Sequence, residues 1–180
     1  AAATSYNAAV KRHGVLLSLI CLVYLCTLSD AYFGRISDGR MMLDTAVALH
    51  HFGDLRVGYV IDPDGRVIPR PGGGGRFGAG YPLVQQLPLL FVGPVEHLFG
   101  TGQSNVLFPL TNLLLLGLTA LTISLVLSEM GLTFRSAALA AVAFAFGTCA
   151  WPYVSYEFSE PVQALCVGAA FLFSVRAAGR

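Results

Sequence analysis

Leu113-Leu114-Leu115-Leu116-Gly117-Leu118-Thr119-Ala120-Leu121 is the centre of a window, Val106 to Leu127, that holds no charged side chain. A helix needs about 20 apolar residues to cross the hydrocarbon of a bilayer, and this window supplies them. Working outward, three more charge-free windows qualify or nearly qualify. Gly14 to Ser29 is slightly short, but Lys11 and Arg12 before it can snorkel and let the helix start earlier. Ser136 to Tyr156 is rich in Ala and Phe, and Pro161 to Val175 closes the series. The expected spans are 14–29, 106–127, 136–153 and 160–175.

Composition agrees with this pattern. The chain has 180 residues, 55% hydrophobic and 12% charged, against about 25% charged in a soluble domain. Mean hydropathy is +0.67. A net charge of +1 leaves no basic surface for nucleic acid. Cys21, Cys26, Cys149 and Cys166 lie in or beside apolar runs and form no metal-binding spacing, so they read as buried apolar thiols. The first residue is Ala, which suits a processed chain or one that starts inside a longer protein. Lys11-Arg12-His13 before an apolar run looks like a signal peptide, but no Ala-x-Ala cleavage site follows, so a retained span is preferred.

The expected architecture is one all-α membrane domain with about four transmembrane helices and a long outward loop region, 30–105. Lys11 and Arg12, Arg135, and Arg176 with Arg180 all fall on one side of four spans. The positive-inside rule makes that side, and the N-terminus, cytoplasmic. The loop then faces outward, and so does the shorter one around Trp151 to Glu160. Ser37 to Phe52 places Met42, Leu43, Ala46, Val47 and Leu49 at helical spacing, as in an amphipathic helix flat on a bilayer, ended by Gly53-Asp54. Gly58 to Ile61 and Arg66 to Ile68 flank Asp62-Pro63-Asp64-Gly65, which predicts a small β-hairpin with a type I turn. Pro82 to Phe99 reads as a kinked, proline-rich helix in the interface, with a fifth span as the rival reading.

Several motifs dissolve on inspection. Gly73-x-Gly75-x-x-Gly78 lacks the βαβ setting of a dinucleotide site. Asp62-x-Asp64-Gly65 lacks the later ligands of a calcium loop. His50 and His51 are adjacent and point apart on a helix. Three charged groups stay open to two readings. Asp38 either caps the helix that follows it or acts as a base at the membrane surface. Glu160, before Pro161, either favours a helix start or belongs to a site. Asp44 is expected to pair with Arg40 one turn back.

Three stretches together resemble the N-terminal part of bacterial GT-C-fold polytopic membrane glycosyltransferases, such as polyprenyl-phosphate-mannose-dependent protein mannosyltransferases and lipid A aminoarabinose transferases. They are Ser37-Asp38-Gly39-Arg40 with the helix behind it; Phe77-Gly78-Ala79-Gly80-Tyr81-Pro82-Leu83 with Leu87-Pro88-Leu89; and Phe146-Gly147-Thr148-Cys149-Ala150-Trp151-Pro152-Tyr153 followed by Phe158-Ser159-Glu160-Pro161. The resemblance implies inverting sugar transfer from a polyprenyl-phosphate donor at the outward face. It assigns Asp38 as catalytic base and allows a divalent metal. Arg40, Arg76 and Glu160 are the candidate substrate-binding residues, the two arginines meeting the leaving phosphate. Such enzymes have about a dozen spans, so the chain is expected to be a fragment or a shortened relative, in a bacterial inner membrane. The alternative is a non-catalytic subunit of a larger membrane complex. Its motives are a span count too small to enclose a GT-C cavity and Ala137-Ala138-x-Ala140-Ala141, small residues suited to close helix packing.

Overall fold

The computed structural model describes residues 2–28, 37–55, 58–61, 63, 66–70, 80–100, 107–155 and 159–179. In chain order these hold helix α1 (Ala2–Thr27), helix α2 (Ser37–Phe52), strands β1 (Gly58–Ile61) and β2 (Val67–Arg70), and helices α3 (Gly80–Val84), α4 (Gln86–Phe99), α5 (Leu107–Glu129), α6 (Phe134–Gly147), α7 (Ala150–Tyr153) and α8 (Glu160–Ala178). Among the described residues three helices are long and apolar enough to cross a membrane: α1 through Val10–Thr27, α5, and α8. The chain is a predominantly helical membrane protein.

A fourth crossing over 136–153 meets a break. Helix α6 stops at Gly147 after 14 residues, about 21 Å at 1.5 Å per residue, against a hydrocarbon core of about 30 Å. Thr148 is extended, with φ −123° and ψ −175°. Its hydroxyl donates to Phe144 O at 2.7 Å and accepts from the Ala150 amide at 3.1 Å, so one side chain closes α6 and opens α7. Hydropathy runs on through this point, which is why composition hides the interruption.

The chain divides into two compact units. The first comprises Ala1–Leu28, Leu113–Val154 and Gln163–Arg180; the second comprises Ser29–Asn112 and Ser155–Val162. In the first unit the helices approach through small residues. Leu16, Ile20 and Tyr24 on α1 are buried, as is the stripe Ala137, Ala141, Ala145 on α6. The Tyr24 hydroxyl donates to Ala145 O at 2.9 Å, and its ring meets Phe146 edge-on. Against α5, a Cβ on Gly117 would lie 2.8 Å from Cys21 Sγ and 3.2 Å from Leu17 Cδ1. On α8, a Cβ on Gly168 would lie 3.2 Å from Thr122 Cγ2. Polar side chains inside α5 bond their own helix: Thr119 and Thr122 donate to the carbonyls of Leu115 and Leu118, each at 2.8 Å. That lets hydroxyls sit in an apolar setting without stranded donors.

The ends of this unit differ. At one end His13 lies 3.3 Å from Ser124 Oγ and packs edge-on against Phe134, while Arg176 Nε donates to Glu129 at 2.8 Å. The beginning of the apolar stretch of α1 (Val10–Thr27), the end of α5, the start of α6 and the end of α8 therefore converge there. With them come Lys11, Arg12, Arg135 and Arg176. At the other end Trp151 Nε1 donates to Thr27 Oγ1 at 3.0 Å. The helices thus alternate in direction. The α5–α6 reversal is built by Gly131 at φ +89°, with Leu132 N bonded to Leu127 O and Gly131 N to Ser128 O, each at 3.0 Å. This pairing of bonds is a Schellman stop, and a left-handed residue is what it requires. Thr133 then caps α6 by accepting from Ser136 N.

The second unit is arranged around α2, which contacts β1, β2, α3 and α4. Its buried side chains are Met42, Thr45, Ala46 and Ala48. The helix spans the residues its periodicity predicts, and Gly53 ends it at φ +67° with its amide on Leu49 O. A helix flat on a bilayer would leave that apolar face to lipid; here the chain's own elements occupy it. The hairpin forms with Gly58 opposite Arg70 and Ile61 opposite Val67. Its turn residues Asp62, Asp64 and Gly65 lie outside the described residues, as does the Gly73–Gly78 motif. The Pro82–Phe99 stretch is two helices, parted at Gln85, with Pro94 inside the second.

Cysteine placement departs from expectation. Cys21 is half-buried, and Cys26, Cys149 and Cys166 are exposed; all four are free thiols. A spanning helix is as apolar on its outer face as on its inner one, so an apolar neighbourhood in sequence does not signal burial.

Gly117→Ala is expected to cost about 1–2 kcal/mol through overpacking against Cys21. Thermal melting in detergent checks this, and adding Cys21→Ala should recover most of the loss by vacating the space.

Candidate functional site

The N-terminal turn of α2 carries two of the four candidate residues. Asp38 is the second residue of that helix and Arg40 the fourth. Their side chains lie outside the described set, so the structure fixes their place on the helix and not their contacts. The expected Arg40–Asp44 pair falls under the same limit. A first helical turn has unsatisfied amides and the positive end of the helix dipole, a setting in which carboxylates are common.

Glu160 is the first residue of α8 and is exposed. Pro161 behind it is fully buried. Proline costs nothing in a first turn, because the amide it lacks has no helical partner there. The order Glu-Pro thus starts the helix and leaves the carboxylate at its mouth. Asp38, Arg40 and Glu160 all belong to the second unit, although Glu160 is remote from the other two in sequence. Arg76 lies outside the described residues. His50 and His51 are exposed on the last turn of α2 with rings 5.3 Å apart and nearly perpendicular. Among the described residues no group of three His, Cys, Asp or Glu is placed to hold a metal ion.

One polar residue of this unit escapes a sequence reading. Gln85, at the α3–α4 joint, is 0% exposed, and neither its amide nitrogen nor its amide oxygen meets a hydrogen-bond partner among the described residues. Its backbone is fully used: its amide reaches Tyr81 O at 3.0 Å and its carbonyl receives Leu89 N at 3.3 Å. The next residue does the opposite. Gln86 Nε2 donates to Ala46 O at 3.0 Å and to Pro82 O at 2.9 Å, which ties α4 to α2. The available signal was two adjacent amides in an otherwise apolar, proline-broken window.

No protein-family model, no curated protein and no solved structure matches this chain. The fold defines the class, a helical membrane protein with a separately packed unit around α2. The likeness to GT-C glycosyltransferases rests on the three sequence stretches alone.

A buried amide without partners pays its desolvation for nothing in return, about 1–3 kcal/mol. Gln85→Met keeps the length of the side chain and removes that cost. The variant is expected to melt above the parent in detergent, whereas Gln86→Met, which breaks two bonds, should melt below it.

Proposed function

We propose that the chain is a glycosyltransferase-like membrane protein, or the N-terminal portion of one, that transfers a sugar from a polyprenyl-phosphate donor at the outward membrane face. The observation that supports this reading most is the membership of the second unit. The Asp38 turn of α2 and the Glu160 start of α8, from separate parts of the chain, belong to one compact body. The sidedness argument adds to it. Lys11 and Arg12 at the beginning of the apolar stretch of α1, Arg135 at the start of α6 and Arg176 near the end of α8 gather at one end of the first unit, and in this reading the positive-inside rule takes that end as cytoplasmic. Glu160 starts α8 at the end away from Arg176, which supports an outward position for it in this reading.

In this mechanism Asp38 takes the proton from an acceptor hydroxyl as its oxygen attacks the anomeric carbon. The bond to the polyprenyl phosphate breaks, and the phosphate leaves with its electron pair. Arg40 and Arg76 neutralise the charge that develops on it, a role a divalent metal could share. Glu160 accepts hydrogen bonds from sugar hydroxyls. The competing reading, a structural subunit, draws on the low span count and the alanine stretch in α6; of that stretch Ala137 and Ala141 are buried within the first unit, while Ala138 and Ala140 are partly exposed.

Transfer of labelled sugar in membranes containing the full-length protein tests the proposal. Asp38→Asn is expected to lower turnover about 100-fold or more, the scale of a lost general base. Glu160→Gln should raise KM for the donor with a smaller loss in kcat. Unchanged turnover for Asp38→Asn at normal expression would remove the catalytic role.

A further inference from the structure

A recess of about 320 Å³ lies between α1 and α6 at the basic end of the first unit. Lys11 and Arg12 form its mouth. Below them its walls are Val15, Leu16 and Leu19 of α1, with Phe134 and Ala138 of α6. Leu16 is buried, but Val15 is 59% and Leu19 55% exposed, so the recess opens on the outer side of the helices. Among the described residues no carboxylate lines it. Among the described residues neither Lys11 nor Arg12 is ion-paired, in contrast to Arg176, which Glu129 holds. Arg135 follows Phe134 in the first turn of α6, and the start of that helix adds positive potential.

We propose that this recess seats one anionic phospholipid, its phosphate against Lys11 and Arg12 and an acyl chain along Val15, Leu19, Phe134 and Ala138. The occupant follows from the two parts of the site. Two cations without an ion-pair partner among the described residues call for a negative group, and the wall beneath them, inside an apolar window long enough to span a membrane, calls for a hydrocarbon chain. A free phosphate would satisfy the first and leave the second bare. Basic pockets between spanning helices bind lipid headgroups by this combination of charge and apolar surface. The site lies within the first unit and does not depend on the sugar-transfer reading.

The full chain, purified in detergent, is exposed to dioleoyl phosphatidylglycerol or dioleoyl phosphatidylcholine, and retained lipid is counted by native mass spectrometry. The parent is expected to retain phosphatidylglycerol about 5- to 30-fold better, the scale of one to two interfacial cations. Lys11→Gln with Arg12→Gln should bring that ratio close to one. Both side chains are exposed, so helicity by circular dichroism should be unchanged. Ala138→Phe, which fills the groove, should reduce retention of both lipids. Arg176→Gln should leave the ratio as it is. Equal retention of both lipids by the parent would overturn the proposal, as would loss of the preference in Arg176→Gln alone. Displacement of the lipid by millimolar inorganic phosphate would show a plain anion site and overturn it too.

Discussion

Helices in a bilayer gain little from burying apolar surface against each other, because lipid tails are as apolar as leucine. What holds the first unit together is close approach, and the rest of that unit depends on it. Gly117 lets α1 reach α5, the Ala137–Ala141–Ala145 stripe accompanies α1 on α6, and Gly168 admits Thr122. Dispersion is gained only where atoms meet, so a single methyl group at one of these places changes the distance over which the whole seam packs. The Tyr24 bond to Ala145 O adds direction to this contact. It also covers a carbonyl that the end of α6 leaves without a helical partner.

The second unit obeys different rules. Its helices are short, its hub α2 is surrounded by the hairpin and by α3 and α4, and polar side chains are buried inside it. Gln86 spends its amide on two carbonyls of neighbouring elements, and Gln85 spends its amide on none among the described residues. That contrast between neighbours marks the α3–α4 joint as the place where packing, and not hydrogen bonding, decides the side-chain position.

Features governed by local sequence were legible before the fold was seen. The bounds of α2 followed from its periodicity and from Gly53, and the paired strands from the turn residues between them. The window Val106–Leu127 agrees closely with α5. Features set by contact were not legible. Nothing in composition distinguishes the α6–α7 break from a continuous span, since Thr148 makes it through its own hydroxyl. The exposure of Cys26 and Cys166 was hidden because both faces of a span are apolar. The motif carrying Asp38 was visible as letters, and the structure adds its place in a helical turn; the role of Gln85 emerges only when its surroundings are known.

The short length of α6 has a consequence for the bilayer itself. Beside the 23-residue α5, the 14-residue α6 offers polar backbone at Gly147 to Cys149 about 21 Å from its start. Hydrocarbon does not tolerate unsatisfied peptide groups, so a bilayer bordering a helix this short would have to thin, or admit water, at its end. The protein would then sit in a locally deformed bilayer. Membranes of different thickness would fit it differently, and it would favour the thinner ones.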